Sequence, residues 1–157
     1  MRLKDILDED FINYKKASMF LIFPTCNFKC CKESGNEICQ NLSLIKQPDI
    51  EISIDSLVRR YLENPISRSI VCGGLEPIDS FEDLLELIRK LREFTEDEVI
   101  IYTGYTEEEL QDKIEKLKTY KNIIMKFGRF RPNGEKHFDE LLGVYLASEN
   151  QYAKKIS

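Results

Sequence analysis

The chain has no apolar run approaching the ~20 residues that a helix needs to cross a bilayer, which sets a helical membrane span aside. It has no surplus of basic residues: 23 Lys and Arg face 28 Asp and Glu, for a net charge of −5. A general nucleic-acid binder carries a basic face, so that class is set aside too. There is no internal repeat and no low-complexity linker, so the 157 residues read as a single domain, 1–157. A chain of this size buries about 68–70% of its unfolded surface and folds without disulfide staples. Only one histidine is present, His137, and in EKHFDE it reads as a solvated loop residue rather than a ligand. The opening MRLKDILDEDF is acidic and broken by charges, unlike a secretory leader.

What is present is sulfur in one place. Four of the five cysteines, Cys26, Cys30, Cys31 and Cys39, fall in FPTCNFKCCKESGNEICQN, residues 23–41. The count is odd and nothing suggests secretion. The expected setting is therefore the reducing cytoplasm, where clustered thiols are metal ligands or redox groups more often than disulfides. Cys72 follows the apolar Ile70-Val71 and reads as a small buried hydrophobe. The cluster does not, because Asn27, Lys29, Lys32, Glu33, Ser34 and Asn36 make its loop polar. Four thiolates suit tetrahedral zinc, but zinc knuckles use two close Cys pairs. Here Cys26 pairs with Cys30 or Cys31, and Cys39 stands alone. Adjacent side chains point apart in extended chain, so three ligands fit better than four. Three ligands leave a coordination position open for chemistry.

The rest of the chain alternates strand and helix patterns. Strands are predicted at Ser18 to Phe23, Ser69 to Cys72, Glu98 to Tyr102, Asn122 to Lys126 and Leu141 to Ala147. Helices are predicted at Ile54 to Leu62, with Asp55 as cap, and at Ser80 to Phe94, with Ser80 and Asp83 as a capping box. Another opens with a Thr106–Glu109 box and buries Leu110, Ile114 and Leu117. This rhythm predicts an α/β fold with a mostly parallel sheet, whose ligands gather beyond the carboxyl ends of the strands. The cysteine loop, GGLEP (73–77) and TGYT (103–106) all fall there.

These segments carry a resemblance. Cys26-x3-Cys30, with a later Cys39-Gln40-Asn41, resembles the C-x3-C-x2-C motif of the radical S-adenosylmethionine superfamily. In its glycyl-radical-activating branch, H-N or Q-N follows the third cysteine. GGLEP resembles that family's GGEP. YTGYTEEEL (102–110), GRFRP (128–132) and ASENQ (147–151) resemble, in order, segments of the activating-protein family of anaerobic ribonucleoside-triphosphate reductase. The matches run from residue 18 to 152. The chain departs from the pattern in having eight residues, not two, between the second and third cysteines, so CKESGNEI (31–38) reads as an insertion. Glu33 stands where the third ligand would fall. Leu75 is extra in GGLEP, Phe127 replaces an acidic residue before GRF, and DEDFINYKKAS stands in place of a glycine-rich segment.

The resemblance implies a partial (βα) barrel of radical S-adenosylmethionine type. It implies Cys26, Cys30 and Cys39 on three irons of a 4Fe–4S cluster, with Cys31 the rival ligand, and S-adenosylmethionine chelating the fourth iron. One electron into the sulfonium would release a 5′-deoxyadenosyl radical that abstracts hydrogen. The implied partners are a large glycyl-radical enzyme of the anaerobic ribonucleoside-triphosphate reductase kind and an electron donor such as flavodoxin or ferredoxin. Gly73 and Gly74 would let backbone approach the methionyl amino end, and Glu76 would help to hold that ammonium. Thr103, Gly104 and Tyr105 would line the pocket, with Asn150 and Gln151 near the adenosyl part. Arg129 is a pocket cation or a surface charge. The plainer readings are a strand-to-helix turn for GGLEP, a helix lead-in for TGY and a solvated tail for Asn150 and Gln151. Two alternatives stand beside the activase: a non-catalytic cysteine-ligated zinc or iron–sulfur module, and a radical enzyme acting on another peptide or small molecule.

Overall fold

A computed structural model describes all 157 residues. The chain opens with two short strands, β1 (Arg2–Leu3) and β2 (Asp5–Asp10), then enters β3 (Ser18–Phe23). The cysteine loop holds a short helix, α1 (Lys29–Ser34), and a 3-10 turn at Leu42–Lys46. Strand β4 (Ile50–Glu51) and helix α2 (Ile54–Glu63) lead to β5 (Ser69–Gly74). A 3-10 turn at Pro77–Ser80 precedes α3 (Phe81–Leu91), followed by β6 (Glu98–Tyr102). After α4 (Gln111–Leu117) come β7 (Ile123–Phe127), β8 (His137–Asp139), β9 (Val144–Leu146) and β10 (Tyr152–Lys155).

Six strands form the main sheet in the order β2-β3-β5-β6-β7-β10. The four central strands run parallel, and both edges, β2 and β10, are antiparallel. Side chains alternate across a strand, so each central strand feeds two cores. Met19, Leu21 and Phe23 of β3, Ile70 and Cys72 of β5, Val99 and Ile101 of β6, and Ile123, Met125 and Phe127 of β7 pack under α2, α3 and α4. On the opposite face Val71, Ile100 and Ile124 meet Tyr14, Leu142 and Leu146. The helices thus cover one face. The other is covered partly, by residues 11–16 and the β8–β9 hairpin.

Three expectations change. The segment Leu141 to Ala147 is not a fifth strand of the main sheet: only Val144–Leu146 is extended, and it pairs with β8 in a separate ribbon. The sixth strand of the main sheet is β10, built from the tail after Gln151. The α2 cap is Ser53, whose Oγ accepts from the Ser56 amide, rather than Asp55. Ser80 makes no capping bond, because its hydroxyl is engaged with Thr25. The turn before α3 is instead capped by Glu76, which accepts from the Ile78 amide. The Thr106–Glu109 box is reciprocal as expected, at 2.9 and 3.4 Å, and Leu110, Ile114 and Leu117 are buried.

Candidate functional site

The carboxyl ends of β3, β5, β6 and β7 open into a cavity of about 430 Å³ on the face away from the helices. Alternation dictates its floor: Phe20, Ile22, Gly73, Tyr102 and Lys126 are the positions that point to this face. The loops after the strands form its walls. Cys26, Cys30 and Cys39 line it, together with Gly74, Thr103, Gly104 and Tyr105, while Cys31 does not. Cys72 lies fully buried on the opposite face of β5, under the helices.

The cysteine loop is held from several sides. The Asn27 backbone amide donates to Asp79 at 2.7 Å, and its side-chain amide donates to the Tyr105 hydroxyl. That hydroxyl donates to the other oxygen of Asp79 at 2.6 Å. Asn41, two residues after Cys39, donates its side-chain amide to the Gly74 carbonyl at 2.5 Å. The three motif segments are therefore stitched to one another. Gly74 sits at φ +83°, and a Cβ there would stand 2.4 Å from Ile22 Cγ2, so only glycine fits the close approach.

Cys30 and Cys31 are not in extended chain, as the sequence suggested, but in α1. Successive helical side chains leave the axis about 100° apart, and of the two only Cys30 lines the cavity, although its thiol stays near enough to Cys31 for that neighbour to help raise it. Burial, as the leading cause, raises the Cys26 thiol to about 11 and the Cys30 thiol to about 12, with Cys39 adding to both. Backbone amides of Phe28 and Asn41 donate to the sulfurs of Cys26 and Cys39 at 3.2 and 3.4 Å. No three His, Cys, Asp or Glu side chains converge tightly enough for one metal ion. A cluster bonds its thiolates to separate irons, so three soft donors around one cavity suit it without meeting at a point.

Glu76 does not line the cavity. Buried beside it, its carboxylate accepts from the Gly104 amide at 2.8 Å and the Ile78 amide at 3.1 Å. Burial raises it to about 7. Lys126 does line the cavity, and its sequence context in an apolar strand gave no hint of it. Its ammonium is buried, donates to the Gly128 carbonyl at 3.0 Å, and is lowered to about 8 by desolvation against the pull of Glu76. Gln151 lines the cavity and is buried, donating to the Gly128 carbonyl. Asn150 lines a neighbouring cavity of about 520 Å³, and Cys30, Gly128, Arg129 and Phe130 line both. Arg129 is a cavity-edge cation with a side chain only 12% exposed. His137 lies in β8 and does not line the cysteine cavity.

A mostly parallel α/β sheet with a thiol-lined cavity at its carboxyl edge defines a cofactor-carrying domain of the metal or cluster class. The family model described as "4Fe-4S single cluster domain" matches residues 16–151, and the chain belongs to that family. It is thus an iron–sulfur protein, and the cysteine loop, the floor strands and Gln151 all fall within the match. No curated protein matches the chain. No helix is long and apolar enough to cross a membrane.

Proposed function

We propose that residues 1–157 form one radical S-adenosylmethionine domain, a partial (βα) barrel that works in the cytoplasm as a glycyl-radical-enzyme activase. One observation carries this reading. Cys26, Cys30 and Cys39 share a single cavity with Gly73, Gly74, Thr103, Gly104 and Tyr105, at the carboxyl ends of parallel strands. An isolated structural zinc module gives no reason for that convergence. Cys26, Cys30 and Cys39 would hold the cluster, and Cys31 would not. When bound, the cluster and S-adenosylmethionine supply one-electron cleavage of a sulfonium and hence a 5′-deoxyadenosyl radical.

The chain's own residues supply the rest. The Phe28 and Asn41 amides donate to sulfur and favour the charged thiolate. Gly73 and Gly74 would let main-chain groups approach the ligand's amino end, and Asn41 holds the Gly74 carbonyl in place. Lys126 has N–H donors beyond the one given to Gly128, and it would offer a desolvated cation to the ligand's carboxylate. Glu76 fixes the Gly104 and Ile78 amides and so holds the two loops in register. Phe20, Ile22 and Tyr102 make the floor apolar and keep water away from a radical. The proposed partners are an anaerobic ribonucleoside-triphosphate reductase-like enzyme, which presents the glycine, and a flavodoxin or ferredoxin electron donor.

Anaerobic reconstitution tests this. The expected result is roughly four irons and four sulfides per chain, with dithionite-dependent conversion of S-adenosylmethionine to methionine and 5′-deoxyadenosine. A chain that takes up only zinc, or never cleaves S-adenosylmethionine, overturns the reading. A glycyl-radical signal on a co-purified reductase then separates the activase from enzymes acting on small molecules.

A further inference from the structure

Helix α1 is tied to the loops after β6 and β7 by a row of charges. Lys29 Nζ lies 2.9 Å from Glu109 Oε1, and Arg129 holds the same carboxylate with both terminal nitrogens, at 2.6 and 2.9 Å. Arg129 Nε stands 2.9 Å from Glu33 Oε1, an ionic contact without hydrogen-bond alignment. The row therefore runs Lys29, Glu109, Arg129, Glu33, alternating in sign. Glu109 is itself fixed, accepting from the Thr106 amide, and Arg129 also donates to the Gly104 carbonyl at 3.3 Å. The two inner members belong to the loops after β6 and β7. The two outer members are the first and fifth residues of α1.

Residues four apart share one stripe of a helix, so Lys29 and Glu33 present the same edge of α1 to the row. Cys31 lies two residues from each. Two residues on a helix are about 200° apart, so Cys31 points away from the clamped edge. Cys30 lies one residue from Lys29 and three from Glu33, on the flank of that edge. The observed lining agrees: Cys30 faces both cavities and Cys31 faces neither. Arg129 is also the best-buried member of the row.

We propose that Arg129, through Glu33 and Glu109, is a positioning residue that sets the rotation of α1 and so selects Cys30 over the adjacent Cys31 as cluster ligand. Glu33 serves as the anchor of the loop between Cys30 and Cys39. This rests on the reading that Cys30 ligates the cluster.

The test crosses Cys30→Ala and Cys31→Ala with an intact and an altered clamp, reading iron per chain and the electron paramagnetic resonance signal of the reduced cluster. With the clamp intact, Cys30→Ala is expected to lose the cluster and Cys31→Ala to keep it. With Arg129→Ala, Cys30→Ala is expected to regain the cluster with a changed signal, Cys31 now serving. Glu33→Ala is a second way to free α1, at an exposed site that leaves the core untouched, should Arg129→Ala fail to fold. A purely structural clamp would lower the unfolding midpoint but leave the cluster dependent on Cys30 in both backgrounds, and that outcome overturns the proposal. Absence of a cluster from the wild type would instead overturn the function on which it rests.

Discussion

Cys72 and Cys39 are the same residue type in opposite surroundings. Cys72 is fully buried in the helix-side core, and Cys39 lines the open cavity on the other face of the sheet. Cys72→Ala should keep the full iron content and lower stability by about 1 kcal/mol, read by urea unfolding. Cys39→Ala should lose the cluster with little change in the cluster-free fold, read by iron content and circular dichroism. Glu76 is the second residue whose surroundings decide its behaviour. Desolvation holds its proton up to about 7, Asp79 adds to this, and amide donors and the Lys126 ammonium oppose it. Between about 4.5 and 7 the folded state keeps a proton that the unfolded state releases, so stability falls as pH rises through this window. The slope approaches about 1.4 kcal/mol per pH unit from this group alone. Glu76→Gln removes that slope. It also leaves one of two amides without an acceptor, at a cost of about 1–3 kcal/mol. The variant should be less stable at pH 5 and lose less on going to pH 7. An unchanged slope would show that Glu76 does not titrate there.

Among the elements, capping separates a residue that looks like a cap from one that is. Ser53→Ala should cost about 1 kcal/mol, because it orphans the Ser56 amide. Asp55→Ala removes only a first-turn charge and its exposed contact with Lys90, and should cost clearly less than the loss of the Ser53 cap. Thermal unfolding of the pair checks the order. Sequence placed Asp55 at the cap because it is the nearest Asp before an apolar period, but Ser53 is extended and so has cap geometry. The parallel strands were legible because one face packs under the helices and the other is largely covered too, which makes short continuous apolar runs such as SMFLIF and EVIIY. The edges were not. Strand β2 reads DILDED and β10 reads YAKK, and an edge exposed on one side carries charge where a central strand carries Val or Ile. Helix α1 was hidden for another reason: none of its six residues is buried, so it has no apolar period to read. The cysteine cluster was legible from its spacing, which left Cys30 and Cys31 open until the resemblance singled out Cys30, whereas Lys126 was not legible, because a lysine near the end of a strand ordinarily reads as a solvated terminus.

Across the whole molecule, stability and binding are assigned to opposite faces of one sheet. The helix side holds 24 buried residues in one cluster, and the cavity side holds only six. The cavity side tolerates groups that a core would exclude, and Lys126 is the clearest. A lysine that is 7% exposed and whose ammonium has one carbonyl acceptor raises the free energy of the fold. Methionine has a similar length, no charge and the flexibility to fill the site. Replacing Lys126 also removes the cation that favours ionised Glu76, so Glu76 would keep its proton at neutral pH rather than remain as an unpaired buried charge. Lys126→Met should therefore leave the urea midpoint equal to or above that of the wild type. If Lys126 meets a ligand carboxylate, the same change should remove about 1.5–3 kcal/mol of binding, which is roughly tenfold to a hundredfold in the S-adenosylmethionine dissociation constant. Calorimetry on the cluster-loaded protein measures the second quantity, and unfolding of the cluster-free protein measures the first. A midpoint that drops together with affinity would make Lys126 a structural residue. A raised midpoint with unchanged affinity would remove the carboxylate from this end of the cavity. A raised midpoint with weakened affinity would show that the buried charge lowers stability and serves the ligand.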